Sequence, residues 1–109
     1  GVLRPLTEDP AETPPKYTGG NEAMFRQLAK NTTYPQKAAQ EGIEGTVLVS
    51  AHIDTDGTLT TAEVYKSVHP LLDEEALRVV RLLKMWEPAY VSGVATKMNL
   101  LIPIVFKLR

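Results

Sequence analysis

The spacing of apolar positions changes along this chain, and each change marks an element. After Gly19-Gly20, Met24, Phe25, Leu28 and Ala29 recur at helical spacing. Asn21 can cap this helix, Glu22 sits in its first turn, and Lys30 and Asn31 close it. Tyr34-Pro35 opens a second, short helix with proline at its first position, where the missing N–H costs nothing. Ala38 and Ala39 continue that helix and Gly42 ends it. The period then falls to two. Val47, Val49, Ala51 and Ile53 alternate with Thr46, Leu48, Ser50 and His52, which predicts a strand. Asp54-Thr55-Asp56-Gly57 is turn chemistry, and Leu59 to Lys66 returns as the second strand of a hairpin.

Helical spacing resumes with Leu72, Ala76, Val79, Val80 and Leu83. Asp73-Glu74-Glu75 lie at the expected start, and Arg78, Arg81 and Lys84 lie toward the far end, as the helix dipole favours. Trp86-Glu87-Pro88 stops the helix, and Tyr90 to Thr96 reads as a loop. A last strand over residues 97–108 puts Met98, Leu100, Ile102, Ile104, Phe106 and Leu108 on one face. The expected fold is α+β: a three-stranded antiparallel sheet, one main helix packed on one face, and short N-terminal helices. Such a core is modest, so Trp86, Phe25 and Phe106 are expected to carry much of it. Residues 1–18 hold prolines at 5, 10, 14 and 15, a density that opposes helix and central strand. They read as the end of a proline-rich linker that docks only partly, with the domain proper at residues 19–109.

Composition narrows the function. The 109 residues suit one domain, and 12 basic against 13 acidic side chains leave a formal charge of −1. That balance argues against a nucleic-acid binder that works by neutralising phosphates. Cysteine is absent, so there is no disulfide framework, thiolate metal site or cysteine nucleophile. The longest apolar run, Leu100 to Phe106, is far shorter than the roughly 20 residues of a spanning helix. The chain opens on Gly1 instead of Met, so it is read as a piece of a longer protein whose anchor or targeting segment lies upstream. His52 and His69 have no partner at ligand spacing, and neither a metal nor a cofactor is expected. Ser67, His69 and Asp73 read as loop and helix-cap chemistry, not a triad. Asp54-Asp56-Gly57 reads as a hairpin turn, because the remaining ligands of a calcium loop do not follow. No catalytic site is expected; the chain is read as non-enzymatic.

The ordered set of motifs resembles the C-terminal domain of TonB, the bacterial energy transducer. The matching residues are Tyr34-Pro35 with Ala38, Gly42-Ile43-Glu44-Gly45-Thr46-Val47, and Ile53-Asp54-Thr55-Asp56-Gly57. Leu72-Asp73-Glu74-Glu75-Ala76-Leu77-Arg78, Trp86-Glu87-Pro88 and Ile102-Pro103-Ile104-Val105-Phe106 complete the series. The Gly19-Gly20 entry and the Leu101 to Phe106 ending resemble Bacteroidetes versions most. The resemblance implies the periplasmic domain of an inner-membrane-anchored protein. It implies binding to the TonB box of outer-membrane transporters, with work supplied by an inner-membrane proton channel complex of the ExbB-ExbD type through the N-terminal part. Import of siderophores or other nutrients is the implied outcome. It also implies receptor contact by Asn31, Thr32, Thr33 and Tyr34, though a buried structural role for Tyr34 is the alternative.

In that family the last strand lies beside the first strand of the hairpin and leaves one side open. Proline cannot donate, so Pro103 is tolerated where its nitrogen faces away from the ladder. The main-chain groups of Asn99, Leu101 and Val105, and the Pro103 carbonyl, should then face the open side and pair with a partner strand. The competing reading is that Pro103 only protects a bare edge from aggregation. A homodimer paired through that edge could compete with transporter binding. The alternative function is a TonB-like binding domain appended to a BlaR-type membrane metallopeptidase sensor or another periplasmic protein.

Overall fold

The structure is a computed structural model that describes residues 12–109. Its main sheet has three antiparallel strands. β3 (Gly45–Ile53) and β4 (Leu59–Lys66) form the expected hairpin, and β8 (Met98–Phe106) lies on the other side of β3. Period-two patterning sets the faces. Val47, Val49, Ala51 and Ile53 of β3 and Ile102, Ile104 and Phe106 of β8 are buried on one face. A one-residue slip would expose the whole set, so register is tightly specified.

The helix α3 (Pro70–Arg81) covers that face with Leu72, Ala76, Val79 and Val80, all buried. It starts earlier than the acidic run suggests, with Pro70 in its first turn and the His69 ring accepting from the Leu71 amide at 3.1 Å. Of the three acids, only Asp73 therefore lies in the first turn; its carboxylate accepts from the Val68 amide and the Ser67 hydroxyl. The Ser67-His69-Asp73 group is thus helix-cap chemistry. The two N-terminal helices are α1 (Gly20–Asn31) and α2 (Gln36–Gln40), with Pro35 as N-cap of the latter.

Further sequence expectations change. Asn21 does not cap α1, which begins at Gly20 with Gly19, at positive φ, as its N-cap. Phe25 is 48% exposed and lies outside the core, because the buried stripe of α1 is Met24 and Leu28. Phe25 follows Met24 by one position, about 100° round the helix, and falls on the flank of the stripe. Residues 90–96 are a tight hairpin, not a loop. β6 (Ala89–Val91) pairs with β7 (Val94–Thr96) through Ser92 and Gly93, both at positive φ, the geometry of a two-residue hairpin turn. The segment 12–18 also pairs. β1 (Glu12–Thr13) joins β6, and β2 (Lys16–Tyr17) joins β5 (Trp86–Glu87). Pro14 and Pro15 fall between these two-residue strands and interrupt neither. Residues 1–11 of the expected linker lie outside the described residues.

Trp86 seals the base of the core. It is 7% exposed, meets Tyr17 edge-on at 5.3 Å between ring centroids, and donates its indole N–H to the Leu83 carbonyl at 3.0 Å. Gly57, at φ 87°, sits against the Trp86 carbonyl so closely that a Cβ there would lie 2.4 Å from the oxygen. The Asp54–Gly57 turn is thereby locked to the strand that carries the tryptophan.

Candidate binding edge

The two outer edges of the main sheet differ. β4 pairs with β3 through two register shifts, carries Glu63 and Lys66, and gives its Ala62 carbonyl to Arg81 of α3 at 3.4 Å. Bulges, charges and a covering side chain are the usual ways in which an edge is made unfit for pairing. β8 pairs with β3 over nine consecutive positions, Gly45↔Phe106 to Ile53↔Met98, without a shift. Between Lys97 and Lys107 it carries no charge. Among the described residues, no strand pairs with its outer side.

Two side-chain bonds fix which main-chain groups face that outer side. The His52 carbonyl accepts from Thr60 Oγ1 at 3.2 Å, so the main chain of His52 turns toward β4. The Ala62 carbonyl, opposite Ala51, turns away from β3 toward Arg81. Main-chain direction alternates along a strand. Val47, Val49, Ala51 and Ile53 therefore turn toward β8 and bond to its even-numbered residues, Ile104, Ile102, Leu100 and Met98. The odd-numbered residues Asn99, Leu101, Pro103 and Val105 present their main chain to the open edge. Pro103, the residue without a donor, falls on this set. Among the described residues, three N–H groups and four carbonyls on this edge have no strand partner.

The side chains of the same four residues point to the sheet face away from α3. Leu101 and Val105 are 47% and 66% exposed there. Asn99 accepts from His52 Nδ1, and His52 Nε2 lies 3.8 Å from Glu63, so a polar row crosses all three strands. In the sequence His52 has no partner at ligand spacing; the row gives it a cross-strand role that depends on register, invisible before the strands are aligned.

The other expected contact segment, Asn31 to Tyr34, is held in place from several sides. Thr32 caps α1 by donating its hydroxyl to the Leu28 carbonyl at 2.6 Å. Glu75 of α3 accepts from the Thr33 amide at 2.6 Å, and Arg78 binds the same carboxylate through Nε and a terminal nitrogen, both at 2.7 Å. Arg78 also donates to the Asn31 carbonyl at 2.7 Å. The Tyr34 hydroxyl donates to the Ile43 carbonyl, and its ring meets Phe106 edge-on at 5.6 Å. Tyr34 thus has a structural role, and Thr33 is the exposed member. Glu75 and Arg78 read in the sequence only as helix charges.

Hydrogen bonds from Arg78 and Thr33 hold the Glu75 carboxyl below the usual carboxylate range. A depressed pKa stabilises the fold above the unfolded-state value and loses that contribution as pH falls through the folded value. Thermal melts should accordingly show a drop in Tm on acidification below the ordinary range of glutamate. The Glu75→Gln variant should be less stable at neutral pH and lose that part of the drop.

Fold and edge together define a small α+β domain with one long, unblocked strand edge beside an N-terminal helix. Residues 30–108 match the family described as Gram-negative bacterial TonB protein C-terminal, and the chain belongs to that family. The family is periplasmic and non-enzymatic. Two NMR solution structures of the Helicobacter pylori TonB C-terminal domain are similar to it. For one, the TM-score is 0.62 at 30% identity over 79% of this chain and 78% of that one. For a shorter form, the TM-score is 0.55 at 28% identity over 78% of this chain and 91% of that one. No curated protein sequence matches the chain significantly. Among the described residues there is no cluster of potential metal ligands and no helix long and apolar enough to cross a membrane.

Proposed function

We propose that this domain binds the TonB box of outer-membrane transporters by strand addition to β8. The box would pair with the main chain of Asn99, Leu101 and Val105 and with the Pro103 carbonyl. Each bond contributes about 0.5–1.5 kcal/mol net, so a few give the weak to moderate affinity that repeated engagement and release require. Affinity drawn from the main chain is tolerant of sequence, which suits one transducer serving several transporters. Asn31 to Tyr34, ordered in advance by Glu75 and Arg78, form a second contact beside the Val105 end of the edge. Work from a proton-driven inner-membrane complex, reached through the part of the protein upstream of this domain, would be pulled through the paired strands. The observation that carries this reading is the unblocked outer edge of β8, set against the bulged and charged edge of β4.

The test is an NMR titration with a peptide carrying a transporter's N-terminal box. The amide signals of Asn99, Leu101 and Val105 should shift most. Shifts confined to α1 and α2, with β8 silent, would contradict the reading.

A further inference from the structure

Alongside the open edge runs a groove of about 380 Å³, lined by Phe25, Leu28, Ala29, Thr32, Pro103, Ile104 and Val105. Its walls are α1 on one side and the C-terminal half of β8 on the other. It explains why Phe25, a large aromatic ring, stands half exposed outside the core. At the other end of the edge lies a depression with polar residues in its lining, among them Lys16, Asn21 and Glu87 beside Leu100. Leu100 and Ile104 are four residues apart, about 13 Å along a strand.

We infer that this groove is a side-chain subsite that reads the strand added to β8, and that it takes an aliphatic side chain. The inference rests on the strand-addition reading above. Residues directly opposite each other in a ladder share a face of the sheet. Guest residues opposite Leu100, Ile102 and Ile104 therefore point toward α1. The one opposite Ile104 enters the apolar groove between Phe25, Leu28 and Ala29. The one opposite Leu100 meets the second depression, where Lys16, Asn21 and Glu87 lie among Pro14, Pro15 and Tyr17, a mixed lining that selects no one side-chain class. Guest residues of the other parity lie beside Leu101 and Val105 on the outer face, where aliphatic side chains also pair well. The groove therefore adds register to an interaction whose main-chain bonds alone would allow slippage by two residues. The occupant is an extended segment, because the groove is continuous with a row of unpaired main-chain groups that only another backbone satisfies.

The probe is the box peptide of the NMR titration, measured by calorimetry against the Ala29→Phe and Phe25→Ser variants. Ala29 is exposed, so a phenylalanine there fills the groove from outside without entering the core. Each variant should weaken binding about tenfold, as expected when one aliphatic side chain loses its burial. At saturating peptide, the Leu101 and Val105 amides should still shift in both. Affinities within about twofold of the parent for Ala29→Phe overturn the subsite. A change in self-association of the free domain, with peptide affinity unaltered, assigns the groove to a second copy and also overturns it. Failure of strand addition itself is a separate result: no Leu101 or Val105 shift in the parent domain.

Discussion

Replacing Trp86 by alanine should destabilise the domain by about 3–5 kcal/mol, the range for removing a buried large aromatic side chain. Small domains have only about 5–15 kcal/mol in total, so this variant should be largely or wholly unfolded at physiological temperature. The loss has three sources. The indole fills the base of the core beside Tyr17, it satisfies the Leu83 carbonyl, and its strand holds both the Lys16–Tyr17 segment and the Gly57 turn. Tyr17→Ala should cost less, because it leaves the Trp86–Leu83 bond intact. Denaturant titration followed by tryptophan fluorescence suits Tyr17→Ala, and circular dichroism suits Trp86→Ala. A Trp86→Ala domain as stable as the parent would show that the 12–18 segment and the main core do not depend on this residue.

Leu101→Pro and Ile102→Pro should give opposite outcomes, although the residues are neighbours. At 101 the proline nitrogen faces the open edge, as that of Pro103 does, and no ladder bond is lost. The fold should change by less than about 1 kcal/mol, while affinity for the box peptide should fall about tenfold through the lost donor and the added ring. At 102 the same change removes a bond to Val49 and a fully buried isoleucine, and should cost about 3 kcal/mol or more. Circular dichroism melts and calorimetry separate the two. Loss of folding at 101 would show that this residue pairs inward, and the orientation of the edge would be reversed.

Much of this was legible in the residues. Turn chemistry and a run rich in Thr, Val and Tyr marked Leu59 to Lys66 as a strand, and period-two patterning put Ile102, Ile104 and Phe106 on one face, the buried one. Pro103 carried the parity of the edge, since a residue without a donor has only one comfortable orientation in an outer strand. What sequence could not supply is what depends on tertiary neighbours. Phe25 fits a helical stripe, and only the position of α1 beside β8 turns it from a core residue into a groove wall. The Ser92-Gly93 turn had a local signal, but three-residue strands with little alternation are too short to show a period. Pairing of Lys16–Tyr17 with Trp86–Glu87 joins segments 70 residues apart in sequence, beyond any local pattern. The Glu75–Arg78 clamp on Asn31 and Thr33 likewise spans helices that only the fold brings together.

Hydrogen exchange at individual amides of β8 tests the vacant edge most directly. In the free domain, Met98, Leu100, Ile102 and Ile104 should be protected, and Asn99, Leu101 and Val105 should exchange rapidly. With saturating box peptide, Leu101 and Val105 should become protected while the even-numbered set stays as it was. Protection of Leu101 and Val105 before any peptide is added, or rapid exchange at both in the saturated complex, would contradict the account.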